Sequence, residues 1–258
     1  MNISQSFIKS FQDYLNRIEC GVVLYEKYIN KNYPPPTDAM RKGIFFEYLC
    51  TGALPLSGEI PEPDVSYKGT AKEKLSAEYE KVVKSAELFH KIIKHYDINI
   101  ISKGKSITAA GMTGIIDIEA DWNGNRVFID LKFSALINDK WSETGWETDA
   151  LPNKDKLMIQ GLHYKILAKE SMGIDDIPFY YFVFSSTNPK DAKIILQEVD
   201  NDKIQEHYTR VSNARDIFEK ELEKGLKAHP SFTKCSGCYL FENCQYRAEV
   251  PFIETVYY

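Results

Sequence analysis

The sequence has no long hydrophobic run and no excess of positive charge. None of its apolar segments approaches the roughly 18 to 20 residues that span a bilayer, and residues 1–12 alternate polar and apolar side chains, unlike a signal peptide. We therefore expect a cytoplasmic protein, in a bacterial or archaeal cell or in a phage-infected host. With 32 Lys and Arg against 37 Asp and Glu, the net charge is −5, which argues against coating of nucleic acid by bulk charge. A local basic groove around a carboxylate-bound metal stays compatible with this balance.

Cysteine is also scarce, with five residues among 258. Apolar residues make up 43% and charged residues 27%, close to ordinary globular usage, which excludes a disordered tail, a collagen-like fibre and a small disulfide scaffold. The cysteine count is odd, and Cys235, Cys238 and Cys244 crowd into ten residues. In a cytosolic chain, this clustering indicates metal binding before disulfide formation.

Helical and strand periodicities divide the chain into consecutive blocks. Apolar residues at helical spacing predict helices over 3–31, 38–51, 70–96, 153–171 and 201–227. Segments rich in Ile, Val, Thr and Phe predict strands over 98–109, 112–121 and 126–134, and residues 178–187 and 192–199 predict a second hairpin. Asn123-Gly124 is a strong hairpin signal, whereas 53–69 and 135–152, which contains Trp141 and Trp146, are expected to be loops.

The order of these elements predicts an α/β fold, with a mixed central sheet flanked by helices. No internal repeat and no low-complexity segment interrupts the sequence, and no composition shift marks a domain boundary. We therefore expect one domain over 1–258, with a helical insertion around 53–97 and a Cys-rich segment over 229–247.

Two of the predicted strands carry acidic residues beside the Asn-Gly turn. Asp117 lies in the first strand, and Asp130 and Lys132 in the second. Because side chains two apart project from the same face of a strand, Asp130 and Lys132 share a face, and strand pairing would bring Asp117 to the same region. Such carboxylates suit a hard cation such as Mg²⁺ or Mn²⁺. A surface salt bridge on an edge strand explains the Asp-x-Lys spacing equally well.

Two further patterns favour the metal site. Gln160 and Tyr164 lie four apart on the next helix and so point to one side, although packing of that helix is a simpler role for both. Glu47 lies within an apolar helical stretch that begins near Gly43.

Together, these motifs resemble the RecB-like branch of the PD-(D/E)XK nuclease superfamily. That branch has a Gly-x-x-x-His/Glu helix, a Gly-x-x-Asp strand, an Asp/Glu-x-Lys strand and a helical Gln-x-x-x-Tyr. The corresponding segments here are 43–47, 114–117, 130–132 and 160–164, in the same order, and with the cysteines the resemblance spans about 3–247. It departs from the usual pattern at Glu47, where many members have His, and at Asp130, where Glu is commoner.

The resemblance implies a restriction-endonuclease-like core and a role for each motif residue. Glu47, Asp117, Asp130 and the Leu131 carbonyl would bind Mg²⁺ or Mn²⁺, which would activate water and neutralise charge on the scissile phosphate. Lys132 would help to position the nucleophile. Gln160 and Tyr164 would support the site and contact the nucleic-acid backbone.

The resemblance also assigns the clustered cysteines. From spacing alone, a structural zinc site leads, because four cysteines bind zinc well and His229 lies six residues before Cys235. Iron–sulfur members of the branch, which include AddB and CRISPR-associated nucleases, carry a first cysteine near the position of Cys20 and three more near the C-terminus. By that likeness, Cys20, Cys235, Cys238 and Cys244 would bind a [4Fe–4S] cluster that joins the terminal segments. Cys50, in an apolar helix, is expected to be a buried small hydrophobic residue.

The resulting prediction is a metal-dependent DNA nuclease. The resemblance implies an exonuclease acting on single strands or duplex ends, in recombination, repair, phage DNA processing or CRISPR adaptation. A catalytically inactive DNA-binding subunit of the same fold and a zinc-stabilised interaction protein are the alternatives.

Overall fold

The protein, described by a computed structural model, divides into two compact units. The described residues are 1–55, 58–68, 71–135, 137 and 154–246. One unit comprises 36–207, and the other comprises 3–35 together with the chain from 208 onward. Since compact units can be parts of one domain, the single-domain organisation over 1–258 stays a prediction.

A five-stranded mixed sheet is the centre of the larger unit. Its strands lie in the order β3-β4-β5-β6-β7: β3 (Asn99–Ala109), β4 (Met112–Trp122), β5 (Asn125–Ser134), β6 (Phe179–Ser185) and β7 (Ala192–Gln197). All neighbouring pairs are antiparallel except β5 and β6, which are parallel. A parallel pair needs a long crossover, and helix α5 (Lys154–Met172) lies in it. The mixed sheet flanked by helices confirms the predicted fold class.

The turn between β4 and β5 sets the register of the central hairpin. Trp122 pairs with Asn125, and Asn123 and Gly124 between them have φ of 56° and 76°. Two consecutive positive φ angles are those of a type I′ turn, whose twist matches that of the flanking strands. The predicted hairpin is therefore confirmed.

Two helices cover one side of the sheet. They are α3 (Asp38–Thr51) and α4 (Ala77–His95), which contact each other, and α3 also contacts β5. The core between helices and sheet is built from buried side chains of both: Phe46, Cys50, Val82, Ala86, Phe89, Ile98, Ile118, Ala120, Val127, Ile129, Leu131, Phe182 and Phe184. Cys50 is 1% exposed, which confirms it as a buried small hydrophobic residue.

Side-chain caps explain where these two helices begin. Thr37 accepts a hydrogen bond from the Met40 N–H, and Ser76 accepts one from the Tyr79 N–H, each satisfying an otherwise unpaired backbone donor. Helix α3 ends at Gly52, whose φ of 70° is the left-handed conformation typical of helix C-termini. The predicted helix over 38–51 is thus confirmed.

The segment over 53–97 differs from its prediction as a loop followed by a long helix. Strands β1 (Val65–Lys68) and β2 (Ala71–Leu75) form an antiparallel hairpin, and only α4 is helical. The helix starts seven residues later than predicted because Ser76 caps it. The insertion is therefore not wholly helical.

The smaller unit begins with helices where one continuous helix over 3–31 was predicted. Helix α1 (Gln5–Leu15) is followed by α2 (Gly21–Tyr25) and a wide π-helical turn, Glu26–Asn30. Arg17 has a φ of 60°, a left-handed conformation that a continuous helix does not contain. The prediction of one helix was wrong for this reason.

The C-terminal half of α6 (Asn201–Lys224) completes this unit, followed by α7 (Phe232–Ser236) and a 3₁₀ turn, Phe241–Asn243. Phe218 of α6 packs edge-to-face against Phe7 and Phe11 of α1, with ring centroids 4.9 and 5.6 Å apart. In the part of the chain that the structure describes, no helix is long and apolar enough to cross a bilayer.

Candidate active site

The predicted carboxylates lie on neighbouring elements of the larger unit. Asp117 is on β4, Asp130 on β5 and Glu47 on α3. The last ladder pair of the β4–β5 hairpin is Ile118 with Ile129, so Asp117 and Asp130 are the next residues along each strand. The hairpin register therefore brings these two acids together.

The Asp117 carboxylate is held by the backbone of β5. Its Oδ2 accepts a hydrogen bond from the Leu131 N–H at 2.8 Å. Leu131 lies between Asp130 and Lys132, so this bond places the Asp117 side chain directly beside the Asp-x-Lys motif. The Gly-x-x-Asp motif of β4 and the Asp-x-Lys motif of β5 therefore come together in one group of side chains.

Asp130 is 3% exposed and is contacted on both oxygens. Its Oδ1 accepts a hydrogen bond from the Gln160 amide of α5, and its Oδ2 forms an ion pair with the Lys132 ammonium. The Lys132 Nζ also lies 5.9 Å from the centre of the Tyr181 ring, within the range of a cation–π interaction. These contacts fix the orientation of both charged groups.

The pKa values of the Glu47, Asp117 and Asp130 carboxyl groups are all raised, and mutual repulsion adds to the rise for Glu47 and Asp117. Burial is the largest cause for each group. The Asp130 charge further raises the pKa of Asp117 and of Glu47, and the Glu47 charge further raises that of Asp117, whose pKa stands well above its usual range. Ionised acids this close store electrostatic energy that a bound cation would release.

Lys132 shows the opposite balance. Burial alone lowers its pKa, but the charges of Asp130, Asp117 and Glu47 outweigh burial and hold the pKa above its ordinary value. Lys132 therefore stays protonated at neutral pH. In this state it can orient an anion or a water molecule, but it cannot accept the proton of an attacking water.

Helix α5 braces β4 through Tyr164. The Tyr164 hydroxyl donates a hydrogen bond to the Ile115 carbonyl, and its ring stacks on Phe179 with centroids 5.7 Å apart. A Cβ atom at Gly114 would lie only 2.4 Å from Tyr164 Cε1. The Gly-x-x-Asp motif thus needs glycine because the Tyr164 ring occupies the space of a side chain.

A second brace of β4 comes from His163, the residue before Tyr164 on α5. This fully buried residue donates from Nε2 to the Thr113 carbonyl at 3.0 Å, and its Nδ1 lies 3.1 Å from His207 Nε2. Because Nε2 is the donor, Nδ1 of the neutral ring is an acceptor. The only sequence signal was a polar residue inside an otherwise apolar helical stretch.

The donor set suits a hard divalent cation in its chemistry. Carboxylate oxygens are the ligands that Mg²⁺ and Mn²⁺ prefer, and burial raises the pKa values of all three carboxyl groups here. Among the described residues, no three His, Cys, Asp or Glu side chains already stand at metal-ligand spacing. The oxygens of Asp117 and Asp130 instead contact Leu131, Gln160 and Lys132, and these contacts would rearrange on metal binding.

The four cysteines of the predicted cluster all lie in the smaller unit, whereas Cys50 lies in the larger one. The backbone N–H of His229 donates to Cys20 Sγ at 3.4 Å, and Lys234, next to Cys235, donates to the Arg17 carbonyl at 2.9 Å. The chain around Cys20 thus contacts the start of the Cys-rich segment. Cys20, Cys235, Cys238 and Cys244 are all free thiols and partly exposed.

The predicted loop over 135–152, with Trp141 and Trp146, lies outside the described residues apart from 135 and 137.

Comparison with known proteins supports the fold. No family model and no curated protein sequence matches this chain. Among solved structures, the chain is similar to the crystal structure of a "Putative exonuclease" from Eubacterium rectale, with 19% identity, a TM-score of 0.60, and coverage of 99% of this chain and 91% of that chain. At this identity, the likeness establishes a shared fold. A second structure, of SSO0001, is 15% identical over 64% of this chain and 68% of its own, with a TM-score of 0.32, too low to carry weight.

The contact between Gly114 and Tyr164 predicts opposite outcomes for two glycine substitutions. Gly114→Ala should destabilise the protein by about 1–3 kcal/mol, because a rigid, buried ring must move. Gly43→Ala should be neutral or stabilise by about 0.5–1 kcal/mol, since a Cβ atom there meets nothing within 4 Å and alanine favours the helix. Urea denaturation of both variants measures the difference, and equal stabilities would contradict the packing described for Tyr164.

The raised pKa of Asp117 predicts that a neutral amide stabilises the metal-free protein. A carboxyl group whose pKa is higher in the folded state contributes stability at low pH and loses it as pH rises through that folded pKa. Asp117→Asn, which keeps the acceptor for Leu131 N–H, should therefore match the wild type near pH 4 and exceed it at neutral pH by on the order of 1 kcal/mol or more.

Thermal unfolding in a chelator, repeated across pH, measures this difference. Adding Mg²⁺ or Mn²⁺ should stabilise the wild type more than Asp117→Asn, because a ligand that binds only the folded state raises its stability. A wild type that is more stable than the variant in chelator at neutral pH would contradict the electrostatic description of the site.

Proposed function

We propose that the protein is a metal-dependent nuclease that hydrolyses phosphodiester bonds. The observation that supports the proposal is the grouping of Asp117, bonded to the Leu131 N–H, with the Asp130–Lys132 ion pair. Glu47 lies near enough for its charge to raise the pKa of Asp117 and of Lys132. Carboxylates bind the cation that phosphoryl chemistry requires, and a lysine beside them compensates phosphate charge. The likeness of fold to a protein named as an exonuclease is consistent with this chemistry.

In this mechanism, Glu47, Asp117, Asp130 and the Leu131 carbonyl would hold Mg²⁺ or Mn²⁺. The bound ion would supply a water of lowered pKa and neutralise charge on the scissile phosphate. Lys132, kept protonated by its carboxylate neighbours, positions the phosphate or the water and stabilises developing negative charge. Because it stays protonated, the proton of the attacking water must leave to another acceptor.

Helix α5 contributes by positioning. Gln160 orients Asp130 through its amide, and Tyr164 holds β4 at Ile115, two residues before Asp117. Burial, followed by the Asp130 and Asp117 charges, raises the pKa of Tyr164, so its hydroxyl stays a hydrogen-bond donor. Helix α5 therefore holds β4, which carries Asp117, and β5, which carries Asp130, in a fixed position relative to each other.

We propose DNA as the substrate and an exonuclease mode that requires a strand end, single-stranded or at the end of a duplex. Both rest on the motif resemblance and on the name of the Eubacterium rectale protein. Recombination, repair, phage DNA processing and CRISPR adaptation all need such an activity.

An inactive DNA-binding subunit is the second candidate, and the electrostatics of the site count against it. Three repelling acids lower the stability of the metal-free protein, and amides would relieve the repulsion. A module that never binds metal has no physical need for these charges.

We propose that Cys20, Cys235, Cys238 and Cys244 hold a [4Fe–4S] cluster, with structural zinc as the competing metal. Four thiolates suit either one. The contacts of Cys20 with His229 and of Arg17 with Lys234 support Cys20 as the fourth ligand. Phosphodiester hydrolysis involves no electron transfer, so the cluster would be structural.

The nuclease proposal predicts loss of cleavage when Lys132 becomes Met. With Mg²⁺ or Mn²⁺, the wild type should degrade linear single-stranded or duplex DNA and spare closed circles, which have no ends. Lys132→Met and Asp130→Asn should reduce the rate by about 10²-fold or more, in line with the loss of one charge-stabilising group. A gel assay with end-labelled and circular DNA measures all three proteins.

Lys91→Met is the matched control. It also removes one lysine charge, but Lys91 is an exposed residue of α4 that belongs to none of the motifs. It should cleave at the wild-type rate. Cleavage of circles would remove the exonuclease mode, and wild-type cleavage by Lys132→Met would remove Lys132 from the mechanism.

The cluster proposal predicts a brown protein after anaerobic purification, with broad absorbance near about 400 nm and about four irons per chain. Cys20→Ser should lose the colour and lower the melting temperature, whereas Cys50→Ser should keep the colour. Metal analysis that finds one zinc per chain and no iron would identify zinc instead. Cys20→Ser with its full complement of iron would show that another residue is the fourth ligand.

A further inference from the structure

Glu119 is a fully buried acid that the proposed mechanism does not use. It lies on β4 with 0% side-chain exposure. Its Oε2 accepts hydrogen bonds from Ser102 Oγ at 2.8 Å and from Lys105 Nζ at 3.0 Å, and its Oε1 is contacted by the guanidinium of Arg126. Strands on both sides of β4 thus send donors to one carboxylate.

The backbone of β3 is adapted to build this group. Ser102 and Lys105 are three residues apart, a spacing that places side chains on opposite faces of a regular strand. Both nevertheless reach Glu119, and Gly104 between them has a φ of 59°. This left-handed conformation, which glycine adopts without strain, lets Lys105 change sides.

The group has more positive charge than neutralisation of Glu119 requires. Two cations surround one carboxylate, a net charge of +1 within a chain of net charge −5. Glu119 is inaccessible, but the Lys105 and Arg126 side chains are 38% and 42% exposed. One face of each cation is therefore held by Glu119, and the other face is available to an anion from solvent.

This positive group lies beside the candidate active site. Glu119 is two residues from Asp117 on the same strand, about 7 Å along it. Lys105 pairs with Ile116, the neighbour of Asp117. Gly104 lies opposite Asp117, since the pairs on either side are Lys103 with Ile118 and Lys105 with Ile116, so the edge strand places no side chain over the acid.

The charge of the site itself makes such a group necessary for a polyanionic substrate. Asp117, Asp130 and Glu47 with Lys132 sum to −2 when all are ionised, and one divalent cation brings the sum only to zero. A loaded site therefore attracts a nucleic-acid strand weakly, whereas fixed cations one or two residues away attract the neighbouring phosphates.

We propose that Lys105 and Arg126, held in place by Glu119, form a phosphate-binding site for the nucleic-acid strand next to the scissile bond. The site recognises the sugar–phosphate backbone and not the bases, because an ammonium and a guanidinium on a sheet surface reach phosphate oxygens without reading base edges. This inference rests on the proposed nuclease function and deepens it, since it assigns the path that the nucleic-acid strand takes along β3 and β4.

The salt dependence of binding tests the proposal. The affinity for a fluorescently labelled single-stranded DNA, measured by anisotropy in chelator at several salt concentrations, gives the slope of log K against log salt. Each lost phosphate contact should reduce the slope by about 0.7. Lys105→Met and Arg126→Met should each show this reduction and weaken binding several-fold at moderate salt. The control variant Lys91→Met should keep the wild-type slope of log K against log salt.

Two further variants guard against effects of folding. Lys105→Arg keeps the charge and should restore the slope. The double variant Lys105→Met with Glu119→Gln removes the cation together with the acid that it neutralises, and should show the reduced slope even where Lys105→Met alone does not fold. A wild-type slope in the folded Lys105→Met, Arg126→Met and double variants would overturn the proposal, because the cations would then serve only to neutralise Glu119.

The cleavage assay separates this inference from the nuclease proposal. A wild type that cleaves DNA while all three charge variants keep its salt slope would refute the phosphate site alone. A wild type that cleaves no nucleic acid with either metal, but whose slope falls in the variants, would refute the nuclease function and retain a phosphate-binding surface.

Discussion

The pairing of β4 with β5 is the interaction on which the candidate site depends. Its register is set at one end by the turn at Asn123 and Gly124, whose φ angles are both positive. At the other end it is set by the hydrogen bond from the Leu131 N–H to the Asp117 carboxylate. Because side chains alternate along a strand, a slip of one residue would turn Asp130 and Lys132 to the opposite face. It would also separate Asp117 from both.

Close packing of helix α5 against the sheet also positions the candidate residues. Gly114 lets the Tyr164 ring approach the strand, and Gly161 similarly leaves space for the Gln197 side chain, whose Oε1 would lie 2.2 Å from a Cβ atom there. Because the backbones can approach this closely, short hydrogen-bonding side chains such as Gln160 and His163 reach the strands. Positioning of the acids is therefore a consequence of small residues as much as of polar ones.

Two neighbouring groups of charged side chains in the larger unit have opposite net charge. The carboxylates around Lys132 outnumber their cation, and burial together with repulsion raises the pKa values of Asp117 and Glu47. The group around Glu119 has the reverse imbalance, with two cations for one acid. Fixed charges of this kind lower stability in the empty protein and are compensated by ligands of opposite sign. A divalent cation at the carboxylates and a nucleic-acid backbone at Lys105 and Arg126 would compensate the charge of both groups.

Local chemistry explains which features could be predicted from the sequence. The Asn-Gly turn, the helical periodicity over 38–51 and the composition of β3 to β5 are short-range signals, and they predicted the hairpin, helix α3 and these strands. The order of the elements predicted the mixed sheet. The candidate acids were predicted as well, because two-residue and four-residue spacings fix which side chains share a face. The break at Arg17, the β1–β2 hairpin and the roles of His163 and Glu119 were not predictable in this way. The roles of His163 and Glu119 depend on side chains and carbonyls of other elements, namely Thr113 and His207 for His163, and Lys105 and Arg126 for Glu119. The sequence by itself therefore determined the five strands of the central sheet, helix α3 and the chemical identity of the candidate ligands. Only the tertiary structure decided which charged groups meet, because that depends on strand order and on how closely a helix can approach a glycine.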